Sequence, residues 1–99
     1  MPGALSDTEI ESALSSLLGW EREGDAIVKS YERASFPDAV AFVVRIGFFA
    51  ERADHHPDLD IRWRTVRVAL STHSEGGITE KDFALARQVE AAATATGAL

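Results

Sequence analysis

The chain has 99 residues, no cysteine, and 16 acidic against 10 basic side chains, a formal net charge of −6. That length suits one domain, and the charge repels phosphate backbones and anionic lipid, so direct nucleic-acid binding is disfavoured. Without cysteine there is no disulfide framework, no thiolate nucleophile and no cysteine-ligated metal. The opening MPGALSDTEI carries neither a positive n-region nor an apolar h-region, and no later run is long and uncharged enough to span a bilayer. A soluble, cytoplasmic protein is expected. A domain of this size hides only somewhat more than ~60% of its unfolded surface, so association of copies would help it.

SDTEIESALSSLLGW opens with a capping box, Ser6 with Glu9. Ile10, Ala13, Leu14 and Leu17 then recur at helical spacing, with Gly19 where a C-cap belongs. WERE and AIVKSYER are β-prone runs around a Gly-Asp turn, which predicts a hairpin. Ser35 and Pro37 mark the next helix start, and the helix is expected to run to about Arg52. Between Ala39 and Ala50 only Arg45 is polar, so this helix is apolar nearly all round and its outer face asks for a second subunit. In DIRWRTVRVALSTH, Val66, Val68 and Leu70 alternate in one phase, Ile61 and Trp63 in the other. A turn near Arg64 and Thr65 makes two strands of the run. SEGG is a loop, and TEKD starts a third helix with Thr79 as N-cap and Asp82 at N3, its inner face being Phe83, Ala86, Val89 and Ala93. The order α-β-β-α-β-β-α predicts an α+β domain spanning residues 1–99, a four-stranded antiparallel sheet with three helices on one face.

The chain has three histidines, two of them adjacent. His55 and His56 follow the second helix, which Pro57 forbids to continue. Such histidines interact favourably with the helix dipole, worth ~0.3–1 kcal/mol when protonated, whether or not they do chemistry. His73 lies at a strand end in a polar loop, where sites on rigid scaffolds gather. If the two loops open on one edge of the sheet, all three line one cleft. A three-histidine zinc site is conceivable, but adjacent histidines seldom aim at one ion and no HExxH spacing exists. Ser71 and Ser74 near His73 lack a nucleophile elbow. Acid–base catalysis asks least, because imidazole titrates near ~6.5 and one ring can give a proton while another takes one.

At these residues the sequence resembles the pterin-4a-carbinolamine dehydratases. The shared elements are GW at 19–20, DAI at 25–27, DHHP at 54–57, LSTH at 70–73, and GIT with Asp82 at the last helix. The resemblance implies a carbon–oxygen lyase that removes water from 4a-hydroxytetrahydropterin, giving quinonoid dihydropterin. That recycles the tetrahydrobiopterin-type cofactor of aromatic amino-acid hydroxylases, with neither metal nor cofactor. It implies that His55, His56, His73 and Asp82 are catalytic: His55 and His73 as the acid–base pair, His56 holding and polarising the ring, Asp82 fixing a histidine tautomer or simply capping its helix. Asp54, Pro57, Thr72, Ser74 and Glu75 are implied as substrate-binding, the loop residues largely through backbone groups. Glu51, one helical turn before His55, is a candidate to orient that ring or is merely solvated.

One departure is Leu59, where many family members have a tryptophan; Trp63 is a candidate replacement for that aromatic wall. The resemblance also implies a homo-oligomer, dimer or tetramer, for which helix 37–52 is the natural interface. Two further readings stand beside the first: a non-catalytic binding or dimerisation module of the same fold, as animal members act on a homeodomain transcription factor, and a dehydratase for another pterin.

Overall fold

In the computed structural model, which describes residues 3–94, helix α1 (Asp7–Leu14) starts at the expected capping box. Of the domain expected over 1–99, residues 1–2 and 95–99 lie outside the described residues. The Ser6 hydroxyl accepts the Glu9 N–H at 3.2 Å and the Glu9 carboxylate accepts the Ser6 N–H at 2.8 Å. The helix ends at Leu14, short of the expected Gly19 stop. The Ser15 and Ser16 hydroxyls donate back to the carbonyls of Ser12 and Ala13 (2.6 and 3.0 Å), and the backbone tightens into i to i+3 turns. Leu17 is nevertheless buried, and Gly19 turns the chain at φ 88°.

Strands β1 (Glu21–Glu23) and β2 (Ala26–Glu32) form the predicted hairpin around Gly24 and Asp25, Gly24 taking φ 60°. Helix α2 (Phe36–Ala53) has Ser35 accepting the Asp38 N–H at 3.1 Å and Pro37 in its first turn. Ala39, Phe42, Ile46 and Ala50 are its buried face; Phe42 and Ile46, fully enclosed, contribute roughly 1.5–3 kcal/mol each. Val40, Val44 (51% exposed) and Phe48 (68%) form the outer stripe, so the apolar second face read from the sequence is real and is left open within one chain.

Strands β3 (Asp58–Arg62) and β4 (Thr65–Leu70) turn at Trp63 and Arg64, one residue earlier than expected, with Trp63 at φ 55°. That turn resolves the phase conflict, since Ile61 lies opposite Val66 and Leu59 opposite Val68. The sheet order is β1-β2-β4-β3, antiparallel throughout. Helix α3 (Glu80–Thr94) buries Phe83, Ala86 and Val89 as expected, with Leu85 and Ala92; Ala93 is half-buried. The architecture is the predicted one, three helices and a four-stranded antiparallel sheet in the order α-β-β-α-β-β-α.

A polar knot pins α3 to the hairpin. One carboxylate oxygen of Glu90 accepts from the Trp20 indole N–H (3.1 Å), the Lys29 ammonium (2.6 Å) and the Tyr31 hydroxyl. Burial works to raise the Glu90 pKa, but the bonds from Lys29, Tyr31 and Trp20 outweigh it and hold the carboxyl below its ordinary value. Burial, then the bond to Glu90, push the Tyr31 hydroxyl up, far above a free phenol.

Candidate active site

Helix α2 closes on Asp54 in the left-handed conformation (φ 52°, ψ 44°), an arrangement an aspartate tolerates better than most residues. The Asp54 N–H reaches the Glu51 carbonyl at 3.2 Å and the His55 N–H that of Ala50 at 3.1 Å. The chain therefore reverses where the two histidines begin, and they part company. His55 turns inward, its side chain 10% exposed; His56 stays outside at 60%.

The His55 Nε2 lies 2.6 Å from Asp82 Oδ1. Asp82, in the first turn of α3, is fully buried. Its other oxygen accepts the Thr72 hydroxyl at 2.8 Å and the Thr79 N–H at 2.9 Å. The Thr79 hydroxyl accepts the Lys81 N–H at 3.1 Å, and because the one Thr72 hydroxyl proton goes to Asp82, the Thr79 hydroxyl donates to the Thr72 oxygen, 2.8 Å away. The polarity of the network is thus fixed: Lys81 to Thr79, Thr79 to Thr72, Thr72 to Asp82. A carboxylate only accepts, so the ring proton of neutral His55 sits on Nε2, and Nδ1 is left as the nitrogen able to exchange a proton. Asp82 thus bonds both to the Thr79 N–H at the start of α3 and to the His55 ring.

Thr72 lies two residues beyond β4, in an isolated bridge with Gly77, and His73 opens the 3₁₀ turn His73–Glu75 that follows it. The Thr72 N–H and carbonyl pair with Gly77 at 3.0 and 3.3 Å, and Gly76, at φ 76°, donates to the His73 carbonyl at 3.1 Å. Asp82 therefore ties together the two chain segments that carry the histidines, through His55 on one and Thr72 on the other. The His73 side chain is exposed, and among the described residues no hydrogen bond joins it to His55 or His56. His56 pairs at 3.1 Å with Glu51, the carboxylate considered for His55; the reversal at Asp54 swings His56 back over the last turn instead. Asp54 and Ser74 are exposed and Pro57 and Leu59 half-buried, Leu59 packing against the core. The Glu75 carboxylate accepts the Gly3 N–H at 3.1 Å. Trp63 is 73% exposed at the β3–β4 turn with the Arg64 guanidinium over its ring. Among the described residues no group of three histidine or acidic side chains converges as metal ligands.

Sequence reasoning missed the part Thr79 plays, reading it only as an N-cap. The pairing of an N-cap threonine with an N3 aspartate, ten residues beyond a threonine at a strand end, was the available signal.

A sequence model of the family described as "Pterin 4 alpha carbinolamine dehydratase" matches residues 3–92. The chain belongs to that family. A protein of Roseiflexus sp. (strain RS-1), named "Putative pterin-4-alpha-carbinolamine dehydratase", is 54% identical over 90 residues, 91% of this chain and 97% of that one. A Nocardia farcinica (strain IFM 10152) protein of the same name is 55% identical over 86 residues, 87% of this chain and 90% of that one. Among solved structures, the "transcriptional coactivator/pterin dehydratase" of Brucella melitensis superposes with a TM-score of 0.88 at 37% identity, covering 91% of this chain and 98% of the other. A "pterin dehydratase-like protein" described as a RuBisCO assembly factor in the alpha-carboxysome shares the fold alone, at a TM-score of 0.63 and 21% identity. No helix among the described residues is long and apolar enough to cross a membrane.

Proposed function

We propose that the chain dehydrates a 4a-hydroxytetrahydropterin by histidine acid–base catalysis, and so returns the tetrahydropterin cofactor of aromatic amino-acid hydroxylases to use. The observation that carries the reading is the buried Asp82 carboxylate bonded to His55 at one oxygen and to the residue before His73 at the other. In the reaction the C4a–O bond breaks as the departing oxygen receives a proton, and the N5–H proton leaves as the C4a=N5 bond forms. One group must donate and one accept, and a pair of imidazoles does both at neutral pH, a contribution of typically ~10²–10⁴-fold.

In this reading His55 and His73 are the acid–base pair, and Asp82 keeps the His55 proton on Nε2 so that Nδ1 faces the substrate. His56 polarises the ring, Asp54 and Pro57 shape the rim, and Thr72, Ser74 and Glu75 offer backbone groups to the pterin amide edge. The protein acts in the cytoplasm as a dimer or tetramer, its subunits meeting through helix 37–52, whose exposed Val40, Val44 and Phe48 support that contact. The second reading, a binding module, is favoured by the coactivator part of the Brucella melitensis protein's title.

The test is the dehydration rate of chemically generated 4a-hydroxytetrahydropterin with the purified protein and with His55→Ala and His73→Ala. Expected are an active parent and losses of at least ~10²-fold in each variant. An inactive parent that still self-associates gives the binding-module reading the better claim.

A further inference from the structure

The segment Gly3–Leu5 lies against the loop that carries His73, and three separate observations bind them. The Leu5 N–H donates to the Ile78 carbonyl at 2.9 Å. The Gly3 N–H donates to the Glu75 carboxylate at 3.1 Å. A Cβ placed on Gly3 would stand 3.2 Å from Glu75 Cγ and 3.3 Å from Thr79 Cγ2, a tight approach that a side chain here would relieve by a shift of its neighbours. Between them a depression of about 390 Å³ is lined by Gly3, Leu5, Glu75, Thr79, Glu80 and Lys81.

The loop needs such a restraint. From Thr72 to Gly77 its own bonds are four backbone contacts within a single turn, and its side chains at 73–76 are exposed, so it has little apolar packing of its own. On the other side Thr72 and Thr79 fix its two ends to Asp82. Among the described hydrogen bonds from outside, that of Gly3 alone reaches the His73–Gly76 turn, through Glu75, while that of Leu5 holds Ile78, two residues beyond it.

We propose that Gly3–Leu5 is a strap that positions the His73 turn, and that the Glu75 side chain is the buckle of this strap, a positioning group and not a substrate contact. Its catalytic consequence rests on the dehydratase reading; the restraint itself does not. If the turn loosens, the His73 ring spends less time where a proton can be exchanged, which lowers kcat more than it changes KM.

The variants are Gly3→Pro, which removes the donor and adds a Cβ at the close approach, Glu75→Leu, which removes the acceptor, their double variant, and Glu75→Gln, which keeps an acceptor oxygen. Two readouts are taken on each: kcat and KM for 4a-hydroxytetrahydropterin, and amide hydrogen exchange at Glu75, Gly76 and Gly77. Expected are about three- to tenfold faster exchange and a matching fall in kcat for Gly3→Pro and for Glu75→Leu. The double variant should be no worse than the worse single one, and Glu75→Gln should recover most of the loss. Exchange equal to the parent's in Gly3→Pro and Glu75→Leu overturns the strap. Additive effects on kcat, or a rise in KM confined to the Glu75 variants, overturn it in favour of a Glu75 contact with substrate. An inactive parent removes the dehydratase reading, while the exchange data still decide the strap.

Discussion

Replacing Asp82 by asparagine keeps the shape and removes the charge at the point where the two histidine segments meet. The carboxylate accepts three hydrogen bonds in a fully buried position. An amide can accept on one atom only, and the carbonyl is retained by the side with two donors, Thr72 and Thr79. The NH₂ group then faces His55, whose Nε2 must accept, so the ring proton moves to Nδ1. Hydrogen bonds to a charged group are worth about 1.5–3 kcal/mol and neutral ones about 0.5–1.5, but a buried neutral group also costs less to desolvate than a charge. The net expected loss of stability is about 1–2 kcal/mol, a fall in Tm of about 4–8 °C per kcal/mol for a domain of this size. The rate suffers more, because neutral His55 then presents a fixed donor in place of an acceptor, and kcat should fall by at least ~10²-fold. Urea titration gives the first quantity, single-turnover dehydration the second, and ¹⁵N imidazole shifts the tautomer. An asparagine variant that keeps the proton on His55 Nε2 and the parent's kcat would refute the reasoning.

Thr79→Val removes the acceptor of the Lys81 N–H and the hydroxyl that donates to Thr72, and should cost about 1–2 kcal/mol in urea unfolding, with Thr79→Ser recovering most of it. Glu90, held below its ordinary range by Lys29, Tyr31 and Trp20 against the effect of burial, contributes stability that is complete above the unfolded carboxyl value near ~4.3 and is lost as pH falls through the lower folded value. Urea melts at stepped pH should therefore show a shallower acid limb for Glu90→Gln; an unchanged limb removes Glu90 from the acid response. Phe48→Asp or Val44→Asp on the exposed stripe of α2 should lower the mass seen by light scattering, and an unchanged mass would take α2 out of the interface.

Most of the fold was legible because local signals agreed with one another. Ser35 with Pro37, the Gly24–Asp25 turn and the phase break near Arg64 and Thr65, one residue late, each state a boundary in terms that depend on neighbours a few residues away. The first helix was read too long for the complementary reason. Leu17 keeps the helical spacing and is buried, so periodicity was satisfied, while the competing claim of two serine hydroxyls on the backbone carries no periodic signature. The Glu90 knot was illegible altogether. Its partners lie 70, 61 and 59 positions away, and each of Trp20, Lys29 and Tyr31 reads alone as an ordinary strand or turn residue.

At the candidate site the same division explains what sequence could and could not assign. Histidine and aspartate in the sequence named the candidates. Their orientation came from one backbone residue, Asp54, whose left-handed conformation separates two adjacent histidines into a buried ring bonded to Asp82 and an exposed ring bonded to Glu51. Adjacent identical side chains thus acquire different chemistry: the inner one has its tautomer set by a buried carboxylate, whereas the outer one keeps a solvent-exposed partner. The two rings differ because the chain bends there, and a substitution that straightened Asp54, such as a β-branched residue intolerant of positive φ, should disturb both rings while touching neither.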